Sequence, residues 1–140
     1  MPRVLIVDDE PDILLMLRVN LEADGFETAL AADGETALQR VGEDRFDLMV
    51  LDVMMPVMDG WGVLEALPRV ANPPKVIVVS AKSSERDVTR AIESGAVDYL
   101  TKPFSPAELG ALVQKVVGLS AEEAEAHRQA RLARIAPAGA

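Results

Sequence analysis

The sequence predicts an α/β protein in which a doubly wound, mostly parallel sheet carries helices on both faces. Short apolar runs alternate with helical patterns along the chain. Two of the runs, RVLIV at 3–7 and KVIVV at 75–79, follow one basic residue with four consecutive apolar residues, which is the pattern of strands covered on both faces. Five β–α units in strict alternation indicate this fold.

The individual elements follow from local signals. We predict strands over residues 3–7, 27–31, 47–51, 75–79 and 97–100. Pro11 suits a first helical turn and Gly25 suits a helix end, while Asp33 can cap a second helix. A third helix over about 61–67 cannot continue through Asn-Pro-Pro at 72–74, because proline stops a helix.

Serine residues mark the starts of the next two helices. Ser83 or Ser84 can cap a fourth helix, which ends near Gly95. Ser105, a proline at the first helical position and Glu108 form a capping box for the fifth helix.

Composition limits the kind of protein and the kind of partner. The 140 residues are 49% hydrophobic, enough for one core and too few for two ordinary domains. A net charge of −9 argues against a nucleic-acid surface, which needs clustered Lys and Arg. The absence of cysteine excludes disulfides and thiolate metal sites. Without a signal-peptide layout or an apolar run of about 18 residues, we expect a cytoplasmic, soluble protein with no membrane contact.

The last 22 residues differ from the rest and divide the chain into a domain at 1–118 and a tail at 119–140. The tail has three acids and three arginines, so the negative charge lies in the domain. Ser120 and Glu123 form another capping box, and the segment favours helix until Pro137. Its large apolar residues are Leu119, Leu132 and Ile135. They are too few for a coiled-coil seam, so we expect a partly frayed helical tail.

Three aspartates follow predicted strands. Asp8 and Asp9 come after the first strand and Asp52 after the third. In the strand order 2-1-3-4-5 these strands are neighbours, and ligands bind beyond their carboxyl ends. Converging carboxylates need a cation, and oxygen ligands with open positions suit Mg²⁺. The alternative is that Asp8 and Asp9 only cap the helix at Pro11. Against it, the charge of Asp52 at the end of a buried strand is unfavourable unless it has a functional role or a positive partner.

Two further polar residues end the fourth and fifth strands. Ser80 closes KVIVVS and Lys102 closes VDYLTK, so a hydroxyl and an ammonium are expected at the same edge. Around Asp52 as nucleophile, these groups and a divalent ion are what an incoming phosphoryl group requires. If each residue is considered alone, an alternative remains: Lys102 could be an ordinary ion-pair partner, and Ser80 could simply end its strand.

Four motifs together resemble the receiver domain of bacterial two-component response regulators. They are VLIVDDEPD (4–12), DLMVLDVMMPVMDGWGVLEAL (47–67), VIVVSAKSS (76–84) and SGAVDYLTKPFSPAEL (94–109). Together with their spacing they cover residues 3 to 118. The resemblance implies a flavodoxin-like sheet in the order 2-1-3-4-5, as in the chemotaxis regulator CheY, and the short chain resembles single-domain regulators of that type.

The resemblance also implies roles for the polar residues. Asp52 would accept a phosphoryl group from a histidine kinase, a phosphotransfer protein or a small phosphodonor. Asp9, Asp52 and the backbone carbonyl of Met54 would bind Mg²⁺, with Asp8 acting largely through water. Lys102 would contact the phosphoryl group. The chain would catalyse only its own phosphorylation and dephosphorylation, and so would not be an enzyme in the usual sense.

The resemblance further implies a switch. Ser80 would turn toward the phosphoryl group and Tyr99 would move inward, changing the surface that the fourth helix, fifth strand and fifth helix present to a downstream protein. The bond before Pro103 is typically cis in the family. Met54 and Lys82 occupy the positions that tune phosphoryl lifetime, and neither orients an attacking water well, so slow dephosphorylation is expected.

The remaining expectations concern assembly and output. Leu112 stands where regulators that dimerise on DNA carry an arginine, which favours a more apolar docking surface near Arg90 and Tyr99. We expect a monomer or a phosphorylation-dependent dimer, with output through another protein and no direct nucleic-acid contact, unless the chain is a fragment of a longer regulator.

Three other classes of protein fit the sequence less well. An aspartyl phosphatase would need an acid where Met54 stands, and a flavin protein would need a Ser/Thr/Gly loop instead of DDEPD. A pseudo-receiver, folded but never phosphorylated, usually lacks one of the acids or the lysine, all of which are present here.

Overall fold

Five parallel strands form one sheet in the order β2-β1-β3-β4-β5, which confirms the predicted fold class and strand order. The computed structural model describes residues 1–55, 58–82 and 84–135, apart from the side chain at 135. The strands are β1 Arg3–Val7, β2 Glu27–Ala31, β3 Leu48–Asp52, β4 Lys75–Ser80 and β5 Asp98–Thr101. The ends of β3, β4 and β5 lie one residue beyond the predicted ends.

Helices connect the strands and follow the last one. They are α1 Pro11–Ala23, α2 Gly34–Glu43, α3 Gly60–Ala66 with a 3₁₀ turn at Leu67–Arg69, α4 Glu85–Glu93, α5 Pro106–Val117 and α6 Ala121–Ile135. Ser84 caps α4 by accepting from the Asp87 N–H; Ser83, the other predicted cap, lies outside the described residues. None of the described helices is both long and apolar enough to cross a membrane.

Alternate residues of each central strand point to opposite faces of the sheet, and both faces are covered. Leu5, Met49 and Val78 pack with α2, α3 and α4 on one face. Ile6 and Val50 pack with α1 and α5 on the other. This two-sided burial explains why the strand sequences are continuously apolar instead of alternating.

The predicted C-terminal helical extension is confirmed as α6. α6 begins with the expected capping box, in which the Glu123 N–H donates to Ser120 Oγ at 3.1 Å. It contacts α4 and β5. The ammonium of Lys75, at the start of β4, donates to the carbonyls of Val116, Val117 and Leu119. Lysine at the last carbonyls of a helix is favourable, so Lys75 fixes the turn into α6. The domain boundary at residue 118 stays a prediction.

One glycine allows α3 to start close to the end of β3. The Gly60 N–H donates to the carbonyl of Val53 at 3.2 Å. A Cβ at Gly60 would lie 2.5 Å from the Cα of Val53 and 2.7 Å from the carbonyl oxygen of Asp52. Both are backbone atoms that cannot turn aside, so only glycine fits beside the strand end that carries Asp52.

We predict that Gly60→Ala lowers the free energy of unfolding by about 1–3 kcal/mol, the usual cost of overpacking. The measurement is urea unfolding followed by circular dichroism. Gly42→Ala is the matched control, because a Cβ at Gly42 in α2 meets nothing within 4 Å; there alanine should stabilise by about 0.5–1 kcal/mol. Equal changes in the free energy of unfolding for the two variants would show that the contact between the start of α3 and the end of β3 is not tightly packed.

Candidate functional site

Two acidic residues lie buried side by side at the carboxyl edge of the sheet. Asp52 ends β3 and Asp8 follows β1, whose Val7 is in register with Leu51. Asp8 is 1% exposed and Asp52 is 3% exposed. The sheet therefore brings these two predicted carboxylates together in a buried position. Because they are shielded from water there, they need a positively charged partner.

Lys102 supplies that partner. Its Nζ donates to Asp8 Oδ2 at 3.0 Å and to Asp52 Oδ2 at 3.3 Å. Burial alone would lower the pKa of the Lys102 ammonium, but the hydrogen bonds and charges of the two carboxylates outweigh burial and raise the pKa. Lys102 therefore stays charged and bridges the two acids at neutral pH.

The environment of Asp52 raises the pKa of its carboxyl group. Burial, and then the negative charge of Asp8, raise its pKa more than the Met54 N–H and the Lys102 ammonium lower it. The Met54 N–H donates to Asp52 Oδ1 at 2.9 Å, and Lys102 holds Oδ2. The carboxyl group is thus fixed by one contact to each oxygen, and a basic, oriented carboxylate can act as a nucleophile.

The neighbouring acids form a group of oxygen ligands. Carboxylate oxygens of Asp8, Asp9 and Glu10 lie within 4.8 Å of one another, with Asp9 and Glu10 exposed. Hard oxygen donors beside open positions fit Mg²⁺. Glu10 was not among the predicted ligands, although it stands next to them in the sequence. Asp52, a predicted ligand, lies outside this close group and is joined to Asp8 through Lys102.

The alternative interpretation of Asp8 and Asp9 as helix caps is wrong. The N-cap residue of α1 is Glu10, which makes no side-chain capping hydrogen bond. Asp8 Oδ1 instead accepts from the backbone N–H of Glu10 at 3.0 Å. That bond shapes the turn after β1 and leaves the other oxygen of Asp8 for Lys102.

The backbone of Lys82 connects the two predicted switch residues. Its N–H donates to the buried Ser80 Oγ at 3.1 Å, and its carbonyl accepts from the Tyr99 hydroxyl at 2.6 Å. Tyr99 already lies inside the protein, and its burial raises the pKa of the hydroxyl, which therefore stays a donor. The Lys102–Pro103 bond is cis, as the resemblance implied.

Three further predicted residues, Met54, Lys82 and Leu112, lie outside the group of buried acids. The side chains of Met54, which is 51% exposed, and of Lys82, also exposed, lie at the rim. Leu112 lines a surface groove together with Tyr99, as expected. The guanidinium of Arg90 stacks over the ring of Trp61, 4.0 Å from the centroid; its predicted closeness to Tyr99 and Leu112 stays a prediction.

Sequence reasoning missed a third buried acid. Asp98 in β5 contacts His127 and Arg131 of α6. The sequence carried a signal for it, because a buried charge inside a predicted strand is as unfavourable as one at the end of a strand. Its partners stand about 30 positions away in a segment treated as frayed, so they could not be identified from the sequence.

Comparison with known proteins places these residues in a family. A model of the response regulator receiver domain matches residues 4–114. The transcriptional regulatory protein PrrA of Mycobacterium tuberculosis is 48% identical over 116 residues, 83% of this chain and 50% of PrrA. The alkaline phosphatase synthesis transcriptional regulatory protein PhoP of Bacillus subtilis is 41% identical over 115 residues, 82% of this chain and 48% of PhoP. The chain spans about half the length of these curated relatives.

Solved structures agree with this similarity. The receiver domain of the Francisella response regulator 1452 has a TM-score of 0.79 and 36% identity, covering 84% of this chain and 97% of that one. TrrA from Thermotoga maritima, in complex with Mg(2+)-BeF, has a TM-score of 0.74 and 34% identity, covering 83% and 99%.

We predict that Asp52→Asn stabilises the fold at neutral pH by on the order of 1 kcal/mol, the scale of an ordinary point substitution. Folding raises the pKa of Asp52, so the stability that its carboxyl group contributes to the wild type is fully present below the ordinary value of 3.8 and is lost as pH rises through the folded-state pKa. The stabilisation of Asp52→Asn relative to wild type should therefore be larger at about pH 7.5 than at about pH 4.5.

Urea unfolding of both proteins across this pH range, in the absence of divalent ions, measures the difference. Asp44→Asn is the control, because Asp44 is exposed at the end of α2. Destabilisation by Asp52→Asn at neutral pH would show that Lys102 more than offsets burial and the charge of Asp8.

Proposed function

The chain belongs to the response regulator receiver domain family, and from this premise we propose that it is a phosphorylation-activated switch in a two-component or phosphorelay system. The observation that carries the proposal is the buried Asp52 carboxylate, raised in pKa and held beside a charged Lys102. Its donor would be the phosphohistidine of a histidine kinase or phosphotransfer protein, or a small phosphodonor.

The positions of these groups support the following transfer. A carboxylate oxygen of Asp52 attacks phosphorus, the phosphorus–nitrogen bond of the donor breaks, and the histidine ring keeps the electron pair. Lys102 loses its contact with one acid and neutralises the phosphoryl oxygens. Ser80, at the end of the adjacent strand β4, donates a hydrogen bond to one of them. The chain thus catalyses only its own phosphorylation and, slowly, its own dephosphorylation.

The acidic group supports magnesium as the cofactor. Asp9, Asp52 and the backbone carbonyl of Met54 would hold the ion, with Asp8 acting through water and Glu10 within reach of the same group. When bound, Mg²⁺ supplies charge neutralisation for the phosphoryl oxygens. Binding of Mg(2+)-BeF by TrrA supports this assignment.

The signal would leave the site through Lys82. When Ser80 turns toward the phosphoryl group, the Lys82 N–H loses its acceptor, and Lys82 is freed to move. Tyr99 already lies inside the protein, so its role is to keep its hydrogen bond to the Lys82 carbonyl as Lys82 shifts. We place the output on the face formed by α4, β5 and α5, in a cytoplasmic protein that acts as a monomer or a phosphorylation-dependent dimer.

The partner at this face is proposed to be another protein. A second candidate is favoured by the similarity to transcriptional regulators, of which the matched residues make up about half: these residues would regulate a DNA-binding segment of a longer protein. The expectation of no direct nucleic-acid contact applies to the 140 residues themselves, whose net charge is −9.

We predict that wild-type protein incubated with acetyl phosphate and Mg²⁺ gains one phosphoryl adduct, measured by intact-mass spectrometry. Asp52→Asn and a chelated sample should gain none, because each lacks a component of the reaction. The matched Asp44→Asn variant should be modified like wild type. Failure to gain an adduct from acetyl phosphate and from a panel of histidine kinases would favour the pseudo-receiver alternative.

We further predict slow dephosphorylation of the purified protein. The exposed Met54 side chain cannot hydrogen-bond an attacking water and Lys82 cannot accept its proton, so Met54→Glu should accelerate phosphoryl loss at least about tenfold. Mass spectrometry after removal of the phosphodonor gives the rate. Val19→Glu, which replaces an exposed apolar side chain of α1, should leave the rate unchanged. A half-life of seconds in wild type would contradict this prediction.

A further inference from the structure

α6 lies against two of the three elements that form the proposed output face. It contacts α4 and β5. Ala124 is buried with the α1–α5 side of the core, and Leu132 packs against the other side, which includes residues of α4. The apolar side of α6 is thus used along its length, although it is too sparse for a coiled coil.

A buried carboxylate joins α6 to β5. Asp98 is 7% exposed; its Oδ2 lies 2.7 Å from His127 Nε2, and its Oδ1 accepts from Arg131 Nε at 3.0 Å. Burial would raise the pKa of Asp98, but hydrogen bonds from His127, the Tyr99 N–H and Arg131 outweigh burial and lower the pKa. Asp98 is therefore ionised at neutral pH, and the side chains that contact its carboxylate come from α6.

An arginine joins α6 to α4. Arg128 Nε donates to the carbonyl of Ala96 at 3.2 Å, and its terminal nitrogen donates to the carbonyl of Ile92. These carbonyls lie at and just beyond the C-terminal end of α4, where a cation is favoured. His127, Arg128 and Arg131 together form what we call the α6 clamp, which binds α4 and β5 at the same time.

We propose that α6 is the resident occupant of the α4–β5 part of the output face, that it restrains α4, and that phosphorylation of Asp52 loosens it. The inference rests on the proposed function of Asp52. A downstream protein or a second copy that uses this face must take the place of α6.

The restraint follows from how α4 is held at both ends. Before its first turn, Lys82 is bound to Ser80 and to Tyr99. Beyond its last turn, Arg128 fastens α4 to a helix that is itself fastened to Asp98. Any shift of α4 relative to β5 after Ser80 turns must strain or break the α6 clamp. Coupling between two sites is reciprocal, so releasing the clamp should also favour phosphorylation.

The occupant is the chain's own helix and not that of a second copy. Residues 118–120 alone separate α5 from α6, and Lys75 holds the carbonyls of this turn from the start of β4. A connection this short and this well held directs α6 back onto the same domain.

The test is hydrogen–deuterium exchange of the α6 amides in the full chain, read by mass spectrometry of peptides over 121–135. Wild type is compared without phosphodonor and with acetyl phosphate and Mg²⁺, with phosphorylation verified by intact mass in each sample. We expect exchange of these amides to rise at least about fivefold on phosphorylation, the lower end of typical coupling. The Asp52→Asn protein under the same conditions should show no change.

A double variant tests the restraint in the opposite direction. Arg128→Ala with Arg131→Ala removes two of the three side chains of the clamp. It should raise α6 exchange, and it should tighten the equilibrium binding of beryllofluoride with Mg²⁺, a non-covalent stand-in for the phosphoryl group, by about five- to tenfold. Arg134→Ala, an exposed arginine one turn further along α6, is the control and should change neither.

The outcomes separate this inference from the proposed function. If wild type is phosphorylated but α6 exchange is unchanged or falls, the coupling is overturned while the function stands. If no adduct forms with acetyl phosphate or with a panel of histidine kinases, the function fails, and unchanged α6 exchange in the double variant overturns the clamp itself. Once an adduct forms, the wild-type comparison tests the coupling without any substitution, even if the double variant does not fold.

Discussion

The structure depends on one electrostatic constraint: carboxylates buried at the carboxyl edge of a sheet must be matched by positive charge. Asp8 and Asp52 reach that edge from neighbouring strands, and Lys102 reaches it from β5 to bridge them. A group with one cation for two acids retains excess negative charge, and the exposed Asp9 beside it adds more. The excess negative charge fits the site to a further cation.

The same constraint recurs away from the site and gives the tail its place. Asp98 is buried in β5, and its positive partners come from α6. The backbone of Lys82 stands between the two acidic centres, since it is hydrogen-bonded to Ser80 on one side and to Tyr99, the neighbour of Asp98, on the other. A rearrangement at Asp52 and the seating of α6 thus involve the same segment, which gives coupling between them a physical route.

Local signals predicted most of the fold because each is a short-range effect. The capping boxes at Ser105 and Ser120 and the caps at Asp33 and Ser84 satisfy backbone groups within three residues. Strand ends missed by one residue reflect pairing with neighbouring strands, which local patterns do not contain. At the site, the closeness of the Glu10 carboxylate to those of Asp8 and Asp9 depends on a turn shaped by the Asp8–Glu10 hydrogen bond, which the sequence does not display.

By itself, the sequence determined the class of fold, the edge of the sheet where the polar residues gather, and the residue types gathered there. Periodicity, caps and the ends of apolar runs are local properties that a linear chain expresses directly. Only the tertiary structure decided that Lys102 bridges Asp8 and Asp52, that Tyr99 lies inside, and that α6 is fastened to Asp98. These pairings join residues 17 to 94 positions apart, and the geometry that selects them exists only once the sheet has brought its strand ends together.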